Sequence, residues 1–551
     1  MNKKVLSLLM CVMSLQMWAQ SNSQRNFQMV QGMDVFTTIC RELDMFYVDS
    51  INAKKIVGTG INAMLSQLDP YTVYYSEEEM DELKMMTTGK YAGIGSVIRQ
   101  YQKDKVVIAE PYAGSPAAKV GLKAGDILLE IDGKDLTGKN TSDVSSMLRG
   151  EPQTTFLLKV QRPGVEKPLS FKITRETIST PAVPYYGMVA AQVGYVNLSQ
   201  FTEHCSEDVR RAVIELKAKG ATSLVLDLRG NGGGLLSEAT EIVNLFVPKG
   251  KNVVKLQGKS PASKSEYSTK KEPFDLQLPV VVLVNNSTAS ASEIVSGALQ
   301  DMDRAVIMGT RTFGKGLVQT PRDLPYNGSL KLTTAKYYIP SGRCIQAIDY
   351  SHRNEAGQPE RIADSLTHVF YTQGGREVRD GGGIRPDVEV QLDTLANISG
   401  YLSVDDVLFD FATEYCLKHK TIPAVAQFSI TDQEFDAFCE KVKKSDFKYD
   451  KQTEEVLKRL KEIAKFEGYL DVAKDEFEAL EQKLSHNLDY DLQNNKKDIK
   501  ELLANEIVKR YYYQAGGIEE ALKSDVVVKK ALELLADMDA YRALLTKKTE
   551  E

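Results

Sequence analysis

Apolar residues recur at two different spacings along this chain, and the spacing changes at a few defined places. Over residues 27–86 they recur at helical spacing, as Val35, Ile39 and Leu43 do, and this pattern predicts helices. Residues 90–176 instead carry short β-type runs separated by glycines. These changes of spacing divide the chain into candidate domains.

The segment 90–176 is predicted to be a compact, mostly β module. The predicted strands are 94–98, 106–108, 127–131, 156–160 and 169–173, and the predicted helices are 117–120 and 142–148. Gly93 and Gly95 flank Ile94 and permit a tight loop whose backbone amides converge on a carboxylate. Because the strand after this loop offers an edge for an added peptide strand, the module is expected to bind peptides. The alternative is a small β domain that binds no ligand.

From Gly187 onward strands and helices alternate, which predicts an α/β fold with a layered, largely parallel sheet. One predicted helix covers 206–219, with Ser206 as its N-cap. The predicted strands, each followed by a turn or a helix, are 193–198, 224–228 and 280–284.

Beyond about residue 400 the chain is predicted to be helical and highly charged. Residues 431–434 fit a capping box, and 451–466 and 518–545 are each predicted as one mixed-charge helix. The simplest interpretation of this region is a solvated helical appendage. The sequence leaves open whether it also forms a homodimer contact or a lid.

The first twenty residues have the order of a secretory signal peptide. Basic Lys3 and Lys4 precede a largely apolar run over 5–17, and polar residues follow. That run is shorter than the roughly 20 residues a spanning helix needs. Since no later segment approaches about 18 uninterrupted apolar residues, no transmembrane segment is expected after its removal. The large Met10 before Cys11 argues against lipoprotein modification. With few cysteines and no CxxC pair, the chain is expected to be a periplasmic protein of a bacterial envelope.

The predicted domain organisation follows from these patterns: 1–20 signal peptide, 21–89 N-terminal helical region, 90–176 β module, 177–400 α/β core and 401–551 C-terminal helical region. The net charge of −6 argues against a nucleic-acid partner. The glycines after 224–228 fit neither nucleotide-binding loop, so no nucleotide cofactor is expected. No metal-ligand motif is present either, and no metal is predicted.

Two short segments of the α/β region together indicate a catalytic site. Ser290 lies where the apolar strand 280–284 gives way to a helix, and Lys315 lies between two glycines. A serine hydroxyl needs a base within about 2.6–3.2 Å and donors for the developing oxyanion. At a helix start, backbone amides point outward, so the amide of Ala291 is a candidate donor. The glycines after 224–228 are expected at the same edge of the sheet and are candidates for the second donor.

The residues offer two candidates for the base, a lysine and a histidine. Lys315 can accept a proton only when it is neutral, and burial in an apolar pocket favours that form. Gln319, four residues further on, is a candidate to bind the amine and orient it. His204 is the histidine retained as an alternative base.

These residues carry a resemblance to a known family. The module 90–176 resembles a PDZ domain, through 91–95, 115–118, 121–128 and 131–133. Ser-Thr-Ala-Ser-Ala-Ser-Glu at 287–293, followed by Thr-Phe-Gly-Lys-Gly at 312–316, resembles the C-terminal processing (tail-specific) peptidases. Thr288 is a departure, because many members carry serine there.

The resemblance implies a crotonase/ClpP-like protease core with an inserted PDZ domain. It assigns a serine–lysine dyad to Ser290 and Lys315, an orienting role to Gln319, and the oxyanion donors to Ala291 and Gly234. It further implies an envelope serine endopeptidase that binds protein C-terminal tails and cleaves nearby. The competing interpretations are a catalytically silent PDZ adaptor and a hydrolase that uses a histidine base.

Overall fold

The computed structural model describes residues 3–391, 396–484 and 487–547. The first two residues of the predicted signal peptide and the last four of the predicted C-terminal region lie outside this range. The helices are α1 (Lys3–Phe46), α2 (Ala53–Ser66), α3 (Met80–Thr88), α4 (Pro116–Lys119), α5 (Thr141–Leu148), α6 (Cys205–Ala218), α7 (Leu236–Phe246), α8 (Ala291–Asp301), α9 (Asn397–Val404), α10 (Asp406–Lys418), α11 (Asp432–Lys444), α12 (Gln452–Phe466), α13 (Lys474–Leu484), α14 (Leu488–Asn494), α15 (Lys496–Leu522), α16 (Val526–Ala536) and α17 (Met538–Leu544).

The strands alternate with these helices over the middle of the chain. They are β1 (Val73–Tyr75), β2 (Lys90–Gly93), β3 (Ser96–Tyr101), β4 (Lys105–Pro111), β5 (Ile127–Ile131), β6 (Lys134–Asp135), β7 (Thr155–Gln161), β8 (Leu169–Thr174), β9 (Glu176–Ser179), β10 (Tyr185–Ala190), β11 (Val193–Asn197), β12 (Ser223–Asp227), β13 (Asn252–Gly258), β14 (Ser265–Ser268), β15 (Val280–Val284), β16 (Val306–Gly309), β17 (Leu317–Asp323), β18 (Ser329–Tyr338), β19 (Ile348–Arg353), β20 (Pro359–Arg361), β21 (Val369–Tyr371), β22 (Glu377–Arg379) and β23 (Val388–Glu389).

The chain divides into two compact units. The first comprises residues 1–80 and 319–334, and the second comprises 81–318 and 335–551. In the first unit, β1 pairs antiparallel with the beginning of β18, and Asp69 accepts hydrogen bonds from the amides of Tyr71 and Thr72. Within the described residues, no helix contains a stretch long and apolar enough to cross a membrane.

The second unit is organised around a six-stranded sheet in the order β10-β11-β12-β15-β16-β23. Its strands are parallel except for β10, which pairs antiparallel with β11. Every residue of β12 and β15 is buried, as expected of central strands covered on both faces. The predicted α/β fold with a largely parallel sheet is confirmed.

Helices α6, α7 and α8 cover one face of this sheet. Their apolar residues, such as Val213, Val243 and Val295, form one buried cluster with alternate residues of the strands, including Val280 and Val282. Helix α6 begins at Cys205, one residue earlier than predicted, and its N-cap is His204. The prediction of Ser206 as N-cap is therefore wrong, because Ser206 already lies inside the helix, where its amide donates to the Glu238 carboxylate (2.9 Å).

Helices α16 and α17 cover the opposite face. Val528, Ala531 and Tyr541 pack against the other set of strand residues, which includes Val281 and Leu283. The expectation of a solvated appendage is thus wrong for this part of the tail, because it completes the core of the sheet.

The long helix predicted over 518–545 is interrupted twice. Asp525 and Asp537 each accept a hydrogen bond from backbone amides that follow them and so begin a new helix. The capping box at Thr431 and Glu434 and the helix α12 agree with the prediction.

Residues 96–174 form a separate antiparallel sheet in the order β3-β4-β5-β7-β8 around its own core. Its strands and the helices α4 and α5 match the predicted elements within a few residues. Strand β3 lies at the edge and pairs only with β4 among the described strands. The ring of Tyr101 on β3 and the side chain of Val107 on β4 pack against Phe409 of α10, so this module contacts the C-terminal helices.

Candidate active site

Two neighbouring parallel strands bring the predicted site segments together. Strand β12 pairs with β15, so the loops that follow them leave the sheet at the same edge. The Asn285 side chain accepts a hydrogen bond from the Gly230 amide (3.0 Å), and the Asn231 carbonyl accepts one from Ala289 (3.0 Å). The Thr288 hydroxyl donates to the Leu228 carbonyl (2.9 Å). The two loops are therefore fixed to one another directly before Ser290.

Ser290 lies at the turn between this loop and α8. Its backbone has φ 58° and ψ −117°, a conformation that a residue with a side chain adopts only under strain of about 1–3 kcal/mol. The residue is half-buried, whereas α8 behind it is buried along its whole length. A strained strand-to-helix turn is a known way of presenting a nucleophilic hydroxyl.

The glycine-rich loop after β12 passes directly beside Ser290. A methyl group on Gly233 would lie 2.7 Å from the Ser290 Cβ and 2.9 Å from the Ala291 nitrogen, so only glycine fits there. The amide of Gly233 is engaged by the Asn231 side chain (2.9 Å). Within the described part of the chain, the amides of Gly234 and Ala291 have no hydrogen-bond acceptor. Both amides are therefore available to stabilise an oxyanion.

Lys315 lies in a tightly packed segment. A methyl group on Gly314 would lie 2.3 Å from the Ala347 Cβ, and one on Gly316 would lie 2.8 Å from the Gln346 nitrogen. The Gln346 side chain also accepts a hydrogen bond from the Gly316 amide (2.7 Å). The two glycines thus allow close packing on both sides of Lys315, which is itself half-buried.

The buried carboxylate of Glu293 links this segment to Ser290. One of its oxygens accepts hydrogen bonds from the amides of Ser290 (2.8 Å) and Lys315 (2.9 Å). The other accepts from the Gly314 amide (2.7 Å) and the Thr312 hydroxyl (2.5 Å). Burial raises the pKa of Glu293 to about 7, and these four hydrogen bonds oppose the rise because they favour the ionised form.

Tyr337 on β18 approaches the same two residues through their carbonyl groups. Its hydroxyl oxygen lies 2.6 Å from the Lys315 carbonyl oxygen and 3.2 Å from that of Ser290. The backbone amides of Ser290 and Lys315 therefore both bind the Glu293 carboxylate, and their carbonyl groups both lie within hydrogen-bond distance of the Tyr337 hydroxyl.

Two other candidates have different surroundings. Gln319 belongs to the first unit, where its side chain donates to Thr333 (3.1 Å), and its assigned role as an orienting residue stays a prediction. The side chain of His204 is 74% exposed and lies 3.7 Å from Glu207. This exposed position at the start of α6 does not favour His204 as a base.

An ion-pair network supports the glycine-rich loop from behind. Arg229 donates to the carboxylates of Asp227 (2.6 Å) and Asp525 (2.6 Å), and the Tyr195 hydroxyl also donates to Asp227 (2.7 Å). Although burial alone would lower it, the two carboxylates raise the pKa of Arg229 above its ordinary value. Asp525 is also the N-cap of α16. Its ion pair with Arg229 therefore connects the start of this C-terminal helix to the glycine-rich loop.

Replacing Asp525 with alanine is expected to destabilise the protein by about 2.5–4 kcal/mol. The change removes a helix cap, worth about 1 kcal/mol, and charged hydrogen bonds to Arg229, worth about 1.5–3 kcal/mol. Thermal unfolding of the purified variant measures the loss. Asp537→Ala is the matched control, because Asp537 caps α17 and forms no ion pair with any residue that the structure describes. An equal fall in unfolding midpoint for both variants would contradict a supporting role of the network.

The loop predicted to bind a peptide carboxylate has the required backbone geometry. The carbonyls of Ile94 and Gly95 accept hydrogen bonds from Ala117 and Tyr112, whereas their amides have no acceptor among the described residues. Gly93 lies at the end of β2, and Gly95 has φ +71°.

Beside this loop lies a groove of about 160 Å³ between the edge strand β3 and helix α5. The Arg149 guanidinium lines it and stacks 5.0 Å above the Tyr91 ring. A free strand edge, amides without acceptors and a cation are together suited to a peptide C-terminus.

Sequence reasoning missed three residues at these sites. Glu293 is part of the serine motif at 287–293, and a glutamate three residues after a helix N-cap is a recognisable signal of a carboxylate contact. Tyr337 and Arg149 carry no local signal, because their neighbours come from distant parts of the chain. In the described residues, no group of three or more His, Cys, Asp or Glu side chains is placed to hold a metal ion.

Comparison with known protein families gives three matches along the chain. Residues 192–351 match the model of peptidase family S41, and residues 107–162 match a PDZ domain model. Residues 398–535 match the model described as the C-terminal helical domain of a probable PDZ-protease.

Individual proteins agree with these matches. A carboxy-terminal-processing protease of Bartonella bacilliformis is 37% identical over 375 residues, which cover 66% of this chain and 84% of that protein. A probable CtpA-like serine protease of Staphylococcus aureus is 36% identical over 306 residues, covering 55% of this chain and 60% of that protein. A solved photosystem II D1 C-terminal processing protease is 28% identical, with a TM-score of 0.34 over 65% of this chain and 88% of that one. At this low score, the structural likeness adds nothing to the family assignment.

Proposed function

The chain belongs to peptidase family S41, as a carboxy-terminal-processing serine protease with a PDZ domain and a C-terminal helical domain, and on this premise we propose a serine–lysine mechanism for it. Ser290 is the nucleophile and Lys315 is the general base. The Gly234 and Ala291 amides stabilise the oxyanion. The substrates are proteins with exposed C-terminal tails.

The reaction proceeds through an acyl-enzyme. The Ser290 Oγ attacks the carbonyl carbon of the scissile bond while the neutral Lys315 Nζ accepts the hydroxyl proton. The oxyanion that forms accepts hydrogen bonds from Gly234 and Ala291 at the positive end of α8. Lys315 then passes the proton to the leaving amine. It next takes a proton from the water that attacks the ester, and it returns this proton to the Ser290 Oγ as the acid product leaves, which restores the hydroxyl and the neutral amine.

The observation that carries this proposal is the connection between the two residues. Their backbones share the Glu293 carboxylate and the Tyr337 hydroxyl. Next to the serine lie the Gly234 and Ala291 amides, which have no acceptor among the residues described. The exposed position of His204 favours the lysine over the histidine alternative.

Tail binding is proposed for the groove between β3 and α5. An extended C-terminus added to the β3 edge would place its carboxylate at the Ile94 and Gly95 amides, with Arg149 as a nearby cation.

The basic and apolar start of the chain supports export to the periplasm, which cell fractionation with an antibody tests.

Incubating the purified chain with an unfolded protein that ends in an apolar tail tests the proposed activity. We expect cleavage products on a gel, and slower cleavage when the terminal carboxylate is amidated. Binding of the tail without any cleavage would instead support the adaptor interpretation and contradict the peptidase.

Reversing the charge of Arg149 is expected to weaken tail binding. Arg149→Glu places an anion beside the incoming carboxylate, and we expect KM to rise roughly tenfold with kcat nearly unchanged. Fluorescence anisotropy with a labelled tail peptide measures the affinity directly. Lys134→Glu, an exposed residue on β6 of the same module, is the comparison variant and is expected to bind the tail as the wild type does. Unchanged affinity in Arg149→Glu would exclude this groove as the carboxylate site.

A further inference from the structure

We propose that Glu293 and Tyr337 are positioning residues that hold the Ser290 and Lys315 backbones at a fixed separation, a role that rests on the proposed serine–lysine mechanism. Neither side chain is required to touch the substrate. They act because nucleophile and base lie on different segments of the chain, and a catalytic pair has to be held within about 0.5 Å of its productive geometry.

Glu293 is suited to this role by its four hydrogen bonds. Three of its donors are backbone amides, which can only donate, and the fourth is the Thr312 hydroxyl. That hydroxyl accepts from the Ile384 amide (2.6 Å), which leaves its proton directed to Glu293. A carboxylate is the side-chain group that accepts from all four donors at once. A glutamine of the same size would place its NH₂ group against two donors, whichever way it is turned.

Tyr337 closes the arrangement on the carbonyl side. Its hydroxyl donates to the Lys315 carbonyl and lies within 3.2 Å of that of Ser290. Its own amide donates to the Gly316 carbonyl (3.0 Å), so the tyrosine is itself fixed to the lysine segment. The ring is 1% exposed, which leaves it little freedom to move.

The strain at Ser290 explains why such a device is needed. A backbone in this conformation tends to relax, and relaxation would move the hydroxyl from the position that the turn gives it. A displacement of about 1 Å in a catalytic group lowers the rate by roughly 100-fold. The hydrogen bonds of Glu293 to both amides oppose that movement.

Tyr337→Phe tests the proposal with the least disturbance, because it removes one oxygen and keeps the ring. We expect kcat to fall by about 10- to 100-fold, with KM and the unfolding midpoint nearly unchanged. The control is Tyr338→Phe, the neighbouring residue on the same strand, which is expected to keep wild-type kinetics. Glu293→Gln is expected to lose more than Tyr337→Phe, because it disturbs both amides.

A double-variant cycle separates positioning from a general structural role. In a Lys315→Met background, Tyr337→Phe should cause no further loss of the remaining rate, since there is no base left to position. The proposal would be overturned if Tyr337→Phe caused an equal loss in both backgrounds or kept a wild-type kcat. It would also be overturned if the loss of kcat matched a fall in the unfolding midpoint of the variant. If Lys315→Met keeps its activity, the serine–lysine mechanism itself fails, which is a distinguishable result.

Discussion

The Ser290→Ala variant is expected to bind tailed substrates normally and to cleave them at least about 10⁴-fold more slowly than the wild type. The change removes the attacking oxygen and leaves the backbone, so the groove between β3 and α5 should keep its affinity. The expected loss is large because no other described hydroxyl shares the strained turn before α8. Mass spectrometry of the products measures the cleavage rate, and fluorescence anisotropy with a labelled tail peptide measures the binding affinity.

Ser287→Ala is the matched control for this variant. Ser287 belongs to the same motif, but it is exposed and its hydroxyl donates only to the neighbouring Asn286 among the described residues. We expect wild-type cleavage from it. Substantial cleavage by Ser290→Ala would transfer the role of nucleophile to another residue.

Lys315→Met is expected to lose activity to a similar extent. Methionine has a comparable length and no ionisable group, so the segment between Gly314 and Gly316 should keep its packing while the base is lost. Lys315→Arg should be inactive as well, since a guanidinium does not release its proton in the accessible pH range. The measurement is the initial rate on the tailed substrate at several pH values.

His204→Ala supplies the comparison for the lysine variants. Its exposed side chain at the start of α6 predicts a wild-type rate. Near-wild-type turnover by Lys315→Met, combined with inactivity of His204→Ala, would instead assign the base to the histidine. The rate of the wild type should fall as pH is lowered, because a protonated Lys315 cannot accept the serine proton.

The parts of the fold that local patterns determine could be predicted. The short strands of the 96–174 module and the central strands β12 and β15 follow from runs of apolar residues bounded by turns. The site segments could be located because parallel strands leave the sheet at one edge. The sequence therefore placed the Ser290 loop and the glycine-rich loop side by side, as the Asn231 and Ala289 contact shows.

The parts that depend on distant contacts could not be predicted. Nothing in the charged sequence after residue 518 indicates that α16 and α17 cover the second face of the sheet, because their apolar residues read equally well as a solvated amphipathic helix. Ser206 is a good N-cap by residue type, yet the chain reaches α6 through a left-handed His204. Likewise, Tyr337 approaches Ser290 and Lys315 through the pairing of β18 with β13 and not through any motif.

Covalent labelling of Ser290 by a serine-directed fluorophosphonate tests the central claim most directly. The reagent reports the nucleophilicity of the hydroxyl without the steps of tail binding and product release, and peptide mapping identifies the labelled residue. The account predicts that the wild type is labelled at Ser290 and that Lys315→Met, although folded, is labelled far more slowly. Equal labelling of both proteins, or labelling at a residue other than Ser290, would contradict it.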